Sequence, residues 1–311
     1  MDFLKTRYSV LKWLVLVAAY GYLAYLLLSY DGYGDLWLQW SRSFAANWGW
    51  LLLALLLVPV NWVLEAKKWQ ILLRGVEDLS LHSSLRAVLG GNTAAFFTPN
   101  RLGEFPGRSV FLNRGNRVHG MLLGLYSAFS QTLVILLAGI PCVLLLFGQS
   151  STKFWHYELA ATLIFFVLLG VYLVLPKIFR KISTINYLKK YRRLLLALSS
   201  LKHTKLLAVC GVALLRYGVF CTQFYLLLRF FGVPLTAWQG VTGIASYYLF
   251  VTFTPSFAFS EGAVRASYAV VVLGMFSGNT VGIATAGVVV WLVNFVLPML
   301  GGSYFFAKTT I

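Results

Sequence analysis

The sequence has few of the groups that carry out chemistry. It contains three cysteines, four histidines and nine acidic residues in 311. Cys142, Cys210 and Cys221 lie in apolar runs without metal-ligand spacing, which is typical of buried hydrophobic side chains. The histidines are scattered and no Gly-x-x-x-x-Gly-Lys phosphate loop occurs. We therefore predict no metal site, no cofactor and no use of ATP by this chain alone.

Charge is scarce and strongly one-sided. Charged residues make up 11% of the chain and hydrophobic residues 59%, whereas soluble domains carry about 25% charged residues. The 26 Lys and Arg give a net charge of +17. Positive charge on an apolar protein indicates membrane topology and anionic lipid. We predict no nucleic-acid partner, because no polar stretch is long enough to fold as a basic domain.

Long apolar stretches predict an all-α polytopic membrane protein with about six spanning helices. The predicted spans cover 13–30, 43–64, 118–152, 159–176, 206–228 and 281–307. Because basic residues collect on one side of this trace, we predict that both termini are cytoplasmic. The whole chain, 1–311, is predicted to be one integral membrane domain.

That domain is predicted to have four parts. They are an N-terminal helix and outer loop (1–42), a first half (43–176), a basic cytoplasmic segment (177–205) and a second half (206–311).

Two further apolar segments predict re-entrant hairpins rather than full crossings. Segment 79–97 is flanked by basic residues on both sides, so we expect it to enter and leave on the cytoplasmic face. Segments 236–254 and 261–275 are predicted to form a second hairpin that enters from outside.

The chain also contains an internal repeat. Leu-Leu-Arg at 72–74 recurs at 227–229, and Phe-Thr-Pro at 97–99 recurs at 253–255. Because the two hairpins are predicted to enter from opposite sides, the halves form inverted-topology repeats, a common plan of secondary transporters. The alternative is an old duplication that is kept only for packing.

Each hairpin is predicted to break at its Thr-Pro pair. Proline cannot continue the hydrogen bonding of a helix and disfavours helix at the preceding residue. The predicted breaks are Thr98 with Pro99 and Thr254 with Pro255. Irregular backbone at membrane depth needs a polar interior, because lipid cannot satisfy its polar groups.

A Glu precedes an Arg by four positions after each break, which places the two on one face of a helical turn. The pairs are Glu104 with Arg108 and Glu261 with Arg265. Such a pair either locks a loop or parts to admit a charged head group.

Arg216 is the most informative single residue, because it lies inside an otherwise apolar span. A cation there costs about 2.5 to 3.5 kcal/mol on insertion scales. Arginine suits bidentate contact with phosphate, so we predict that Arg216 binds a lipid head group. The alternative is a structural ion pair with Glu261 or Glu158, or a side chain that extends to an interface.

The pattern from Phe97-Thr98-Pro99 through Gly103-Glu104 to Arg108, with its echo at 253–265, resembles the membrane region of bacterial lysyl-phosphatidylglycerol synthases. Stand-alone relatives of that region are called flippase-like proteins. The resemblance covers essentially the whole chain. It implies movement of phospholipids, including aminoacylated phosphatidylglycerol, between the leaflets of a prokaryotic cytoplasmic (inner) membrane. No soluble aminoacyl-transferase domain occurs in these residues, so we expect no lysyl transfer by this chain.

The leading hypothesis is a lipid transporter rather than an enzyme. We expect the head group of an anionic phospholipid to bind at Arg216, Arg108, Arg265, Arg101 and Asn92. Glu104 and Glu261 would hold the arginines until lipid displaces them. Two alternatives stay open. One is a membrane enzyme that modifies a lipid or polyprenyl head group with Glu104 or Glu261 as base. The other is a non-catalytic subunit that binds lipid or a separate lipid-modifying synthase.

Overall fold

The computed structural model describes residues 33–147, 154–185, 187, 190 and 192–308. In chain order the helices are α1 (Tyr33–Leu73), α2 (Leu81–Phe96), α3 (Glu104–Ser109), α4 (Arg117–Phe147), α5 (Phe154–Ile182), α6 (Arg192–Ser199), α7 (His203–Phe230), α8 (Ala237–Phe253), α9 (Ala258–Leu273), α10 (Thr280–Trp291) and α11 (Leu297–Lys308). A π-helical turn, Leu292–Val296, joins α10 to α11. These residues contain no strand, so the described part of the protein is all-helical.

Five helical stretches are long and apolar enough to cross a membrane. They are Trp40–Leu73, Arg114–Leu146, Thr162–Ile182, His203–Phe230 and Thr280–Phe306. Each overlaps one of the predicted spans, and the protein is an integral membrane protein of the kind that the composition predicts. The remaining predicted span, 13–30, lies outside the described residues.

The prediction of an outer loop up to residue 42 was wrong for its last ten residues, because α1 already begins at Tyr33. Tertiary packing explains the extra helix. The ring of Trp40 packs edge-on against Phe230 and Phe231, with centroid distances of 5.6 and 5.3 Å. Trp40 therefore gives this part of α1 a partner at the end of α7, which the local sequence does not reveal.

Helices α1 and α7 form a long antiparallel pair through the centre of the fold. Their cross-helix hydrogen bonds, in order along α1, are Asn47 to the Phe230 carbonyl (3.3 Å), Gln223 to the Ala54 carbonyl (3.2 Å), Arg216 to Asn61 Oδ1 (2.7 Å) and Lys205 to the Leu72 carbonyl (2.8 Å). A step of seven residues forward along α1, from 47 to 54 to 61, matches a step of seven back along α7. The two helices therefore run in one constant antiparallel register.

The two hairpins start at opposite ends of this pair. The first hairpin (α2, the break and α3; 81–109) follows the end of α1, which lies beside Lys205 at the start of α7. The second hairpin (α8, the break and α9; 237–273) follows the end of α7, which lies beside Asn47. Helix α2 packs against α11, and α8 packs against α4. Each hairpin thus lies against the span that directly follows the hairpin of the other half.

Glycines allow these two helix packings at matched positions. A Cβ on Gly139 of α4 would lie 3.1 Å from the carbonyl oxygen of Ala245, and a Cβ on Gly302 of α11 would overlap the carbonyl oxygen of Leu89. Ala245 follows Leu89 by 156 positions, which is the offset of the Phe-Thr-Pro repeat. Small residues let helices in membranes approach closely, so both halves use one packing solution.

A second matched contact caps the central helices. The side-chain amide of Asn116 donates to the Val76 carbonyl (3.4 Å) just beyond α1. The amide of Asn279 donates to the carbonyls of Phe231 (3.0 Å) and Gly232 (3.5 Å) just beyond α7. Asn279 follows Asn116 by 163 positions, the same offset that separates Gly302 from Gly139. The halves therefore make equivalent contacts well beyond the short sequence motifs.

Candidate functional site

The two helix breaks are in direct contact. The main-chain N–H of Asn100 donates to the carbonyl of Ser256 (3.0 Å), and the N–H of Ser256 donates to Asn100 Oδ1 (2.9 Å). Asn100 (φ 50°) and Arg101 (φ 60°) both adopt the left-handed conformation. Non-glycine residues rarely do so and cluster at functional sites when they do. The hairpins that start at opposite ends of the central pair thus meet at their breaks.

The local sequence explains each break. Helix α2 ends at Phe96, and Thr98 then accepts a hydrogen bond from the N–H of Gly103 (2.7 Å), which folds the chain back on itself. Helix α8 ends at Phe253, and the hydroxyl of Thr254 bonds to the Phe250 carbonyl (2.8 Å). In both copies the Thr before Pro supplies a hydrogen bond that the helix no longer makes.

A polar cavity of about 240 Å³ lies beside the junction of the breaks. Seven charged residues line it: Glu65, Lys68, Arg101, Glu104, Arg108, Arg216 and Arg265. An eighth, Glu261, pairs with Arg265 at 2.7 Å. The site therefore brings together all four arginines that the sequence nominated, and its five cations exceed its three carboxylates.

Glu65 is the centre of this charge network, and the sequence analysis did not identify it. Its Oε1 accepts a hydrogen bond from Arg108 Nη1 (2.6 Å), while Oε2 lies 3.0 Å from Lys68 Nζ and 2.8 Å from Arg216 Nη1. Glu65 is only 4% exposed. The predicted span ends at residue 64, so Glu65 and Lys68 lie just outside it in the sequence. Their i, i+3 spacing on a helix is the signal that indicates a shared face.

The ion pair of Arg216 differs from the one offered as the alternative to lipid binding. Arg216 pairs with Glu65 and not with Glu261, while the side chain of Glu158 lies outside the described residues. Glu261 instead pairs with the arginine four residues after it, because both lie on one face of α9. Arg216 therefore has a structural carboxylate and still lines the cavity.

Asparagines hold Arg216 from the other side. Its Nε donates to Asn61 Oδ1 (2.7 Å), and the Asn61 amide in turn donates to Asn294 Oδ1 in the π-helical turn. Arg216 Nη1 also approaches Gln131 Oε1 at 3.4 Å. π-Helical turns occur often at functional sites. Here the turn supplies an acceptor that ties the last span to the central pair.

The cavity arginines differ in how much guanidinium they leave available. Arg108 is 3% exposed and bonds both Glu65 and Glu104. Arg265 makes two bonds to Glu261, at 3.1 and 2.7 Å. The side chain of Arg101 is 34% exposed, lies 4.0 Å from its nearest carboxylate and rests 3.8 Å above the ring of Phe295. Arg101 is therefore the least neutralised cation at the junction.

The two Glu–Arg pairs predicted from four-residue spacing both form, but their surroundings differ. Glu104 contacts Arg108 and keeps 22% of its side chain exposed. Glu261 is 5% exposed, and Arg101 of the other hairpin reaches towards it. The second pair is thus part of the contact between hairpins, whereas the first lies at the cavity surface. Asn92 of α2 is buried and also lines the cavity.

Among the described residues, no group of three His, Cys, Asp or Glu side chains could hold a metal ion. The cavity instead offers guanidinium and amide donors, which are suited to phosphate.

A family model described as lysylphosphatidylglycerol synthase TM region matches residues 10–302 of the chain. The match includes both hairpins and every charged residue of the cavity. Comparisons with curated proteins and with solved structures gave no match.

Proposed function

The chain belongs to the lysylphosphatidylglycerol synthase TM family, and we propose that it is a lipid transporter. Its substrate would be an anionic or aminoacylated phospholipid of the phosphatidylglycerol type, which it moves between leaflets. The observation that carries this proposal is the cation-rich cavity where two hairpins from opposite ends of the central pair meet. Such movement requires neither a catalytic residue nor a bound metal ion.

The charge balance of the cavity supports an anionic head group. Five cations face three carboxylates, and an excess of buried positive charge is costly unless a ligand neutralises it. Arg101 and Arg216 are the partly exposed guanidinium groups best placed for this role, with side-chain exposures of 34% and 20%. Arginine binds phosphate oxygens in pairs. Arg108, more deeply buried between two carboxylates, positions Glu65 instead.

The arrangement of the hairpins supports alternating access. In transporters with inverted repeats, one half opens the site to one side while the related half closes it on the other. The first hairpin starts at the Lys205 end of the central pair and the second at the Asn47 end. Movement of either break away from the Asn100–Ser256 contact would open the cavity towards that hairpin's own end. We propose that both hairpins are re-entrant and that the two ends of the central pair face opposite leaflets.

Leaflet transfer in vesicles tests the proposal. Purified protein is reconstituted with fluorescently labelled phosphatidylglycerol, and transfer is measured by chemical quenching of the outer leaflet. We expect Arg216→Gln and Arg101→Gln each to lower the rate at least tenfold, because each removes a phosphate ligand. The matched control is Arg180→Gln, an exposed cation outside the cavity. Unchanged transfer in a folded Arg101→Gln/Arg216→Gln double variant would contradict the transporter.

A membrane enzyme that modifies a lipid head group is the second candidate. The exposed edge of Glu104 at the cavity favours it, because a general base must reach its substrate. Mass spectrometry of lipids incubated with purified protein would detect a product, and Glu104→Gln would abolish it. If Glu104→Gln leaves transfer intact and no product forms, the transporter is favoured. A non-catalytic partner subunit predicts a centre filled with protein, so the cavity gives that hypothesis less support.

We further propose that the Lys205 end of the central pair faces the cytoplasm of a prokaryotic cell. Exposed basic residues concentrate at that end, at Arg74, Arg114, Lys181 and Lys202, and cytoplasmic loops carry an excess of Lys and Arg. Labelling of Lys181→Cys in sealed right-side-out vesicles tests this orientation, in a variant whose three native cysteines are replaced by serine. We expect a membrane-impermeant thiol reagent to miss it until the vesicles are opened.

A further inference from the structure

A second pocket lies at the Lys205 end of the molecule, away from the cavity. Its volume is about 690 Å³, and it shares no lining residue with the central cavity. The end of α1, the start of α4, the end of α6 and the start of α7 enclose it. Four separate chain segments thus converge on a space that the proposed lipid transport does not use.

The lining of this pocket is basic. Arg74, Lys202 and Lys205 carry positive charge, His119 adds an imidazole, and none of the described residues that line the pocket is acidic. Lys205 Nζ donates to the carbonyls of Leu72 and Arg74, both at 2.8 Å, at the end of α1. These bonds fix its ammonium group in place, so this charge is preorganised rather than mobile.

The start of α7 lies at the edge of the same pocket. Helix α7 begins at His203, and its N-cap residue Lys202 makes no side-chain capping bond. The first N–H groups of a helix lack partners within it, and the positive end of the helix dipole attracts anions.

The pseudo-symmetry of the fold provides an internal comparison. A pocket of about 450 Å³ lies at the opposite end, beside the end of α7, and Asn279 lines it as Asn116 lines the basic pocket. Arg42 is the single cation among the described residues that line it. The fold therefore makes a pocket at each end of the central pair, but basic side chains gather at one end. That difference arises from the sequence and not from the shared architecture.

We infer that the basic pocket binds a phosphate-bearing anion. The shared chemistry is a phosphate group that accepts hydrogen bonds from Arg74, Lys202 and the start of α7. Its source is either the head group of an anionic lipid in the adjacent leaflet or a free phosphorylated small molecule. The inference does not rest on the proposed transport, since no residue is common to the two sites.

Binding measurements with two probes test this inference on the full-length protein. Calorimetry with glycerol 3-phosphate in neutral detergent reports a free ligand, and native mass spectrometry from nanodiscs of phosphatidylglycerol or phosphatidylcholine reports a retained lipid. Binding of either probe supports the site and identifies its source. We expect Arg74→Gln/Lys202→Gln to weaken that binding at least tenfold. The matched control is Arg180→Gln/Lys181→Gln, two exposed cations outside the pocket, which should change it less than twofold.

Three results would overturn the inference. They are the absence of binding by both probes, equal weakening in the two double variants, and equal retention of phosphatidylcholine. Arg101→Gln/Arg216→Gln separates the two sites, because it should lower leaflet transfer but leave glycerol 3-phosphate or lipid binding at the basic pocket unchanged. Loss of that binding in the cavity variant would place the probe in the cavity and would also overturn the inference. Thermal unfolding of each variant confirms that it is folded.

Discussion

Glu65 is the carboxylate that Lys68, Arg108 and Arg216 share, so its replacement by Gln is the most direct test of the charge network. The change keeps the size of the side chain and removes its charge. Removal of one partner from a buried ion pair costs about 3 to 5 kcal/mol. Arg108 keeps Glu104, and Gln keeps one acceptor oxygen, so we expect the lower end, about 3 kcal/mol of unfolding free energy.

Thermal and denaturant unfolding in detergent, followed by tryptophan fluorescence, measures this loss. The control is Glu77→Gln in the connection after α1, where the carboxylate accepts hydrogen bonds from Asn113 and Asn116. We expect this partly buried site to cost about 1 kcal/mol or less, because Gln keeps one acceptor oxygen. Because Lys68 is fully buried, Glu65→Gln leaves an ammonium group without its nearest carboxylate.

A second variant separates lost charge from lost shape. In Glu65→Gln/Lys68→Met the unpaired ammonium group is replaced by an apolar side chain of similar length, which buried ion pairs often tolerate. We expect the double variant to regain at least half of the lost stability. Wild-type stability in Glu65→Gln, or a double variant no more stable than Glu65→Gln, would refute the network as described.

Three further predictions concern the junction and the packing of the hairpins. Asn100→Ala removes the acceptor for the Ser256 N–H and puts alanine at φ 50°, so we expect hydrogen exchange at Ser256 to accelerate and stability to fall by about 1 to 3 kcal/mol. Gly302→Ala would force a Cβ into a main-chain carbonyl oxygen and should destabilise by about 1 to 3 kcal/mol, whereas Gly301→Ala, with open space around it, should have little effect on the unfolding midpoint. Arg101→Lys keeps the charge but loses the planar guanidinium above its aromatic ring. Leaflet transfer should therefore fall several-fold, while the protein still binds anionic lipid. Equal transfer rates in the variant and the wild type would contradict bidentate recognition of phosphate.

Hydropathy and proline placement predict much of this fold because they act locally. Apolar stretches give the five described spans, and Thr98-Pro99 and Thr254-Pro255 give the points where α2 and α8 stop. The four-residue spacing of Glu104 and Arg108 likewise fixes a pair without reference to the rest of the chain. These features depend on residues within one or two turns of each other, so a single sequence contains them.

The central carboxylate could not be found in the same way. Glu65 and Lys68 follow a predicted span, where charges normally face water or lipid head groups. Their burial depends on the crossing with α7, which brings Arg216 to within 2.8 Å. The left-handed backbone of Asn100 likewise accompanies its two hydrogen bonds with Ser256 of the second hairpin. Local sequence carries no record of either partner.

The matched halves make one consequence of the symmetry testable. Arg216 follows Asn61 by 155 positions, which is the offset between the Leu-Leu-Arg motifs at the ends of α1 and α7. The proposed repeat therefore makes the two residues equivalent, and they contact each other at 2.7 Å. In the inverted repeat that we propose, this contact places both residues on the pseudo-two-fold axis. Only one of the two side chains, that of Arg216, carries a charge.

Exchange of the two side chains should therefore retain the site. In Asn61→Arg/Arg216→Asn the guanidinium moves from α7 to α1, by about the length of one side chain. Glu65 lies one turn further along α1, so it stays within reach of the new arginine as an i, i+4 partner. We expect leaflet transfer in the exchanged protein to exceed that of Arg216→Asn alone by at least tenfold. Because Arg216→Asn alone leaves two asparagines on the axis and no guanidinium, it is the matched control. A folded exchange variant that transfers lipid no faster than Arg216→Asn would show that the cavity requires its arginine on α7, and the equivalence of the two positions would then be structural without being functional.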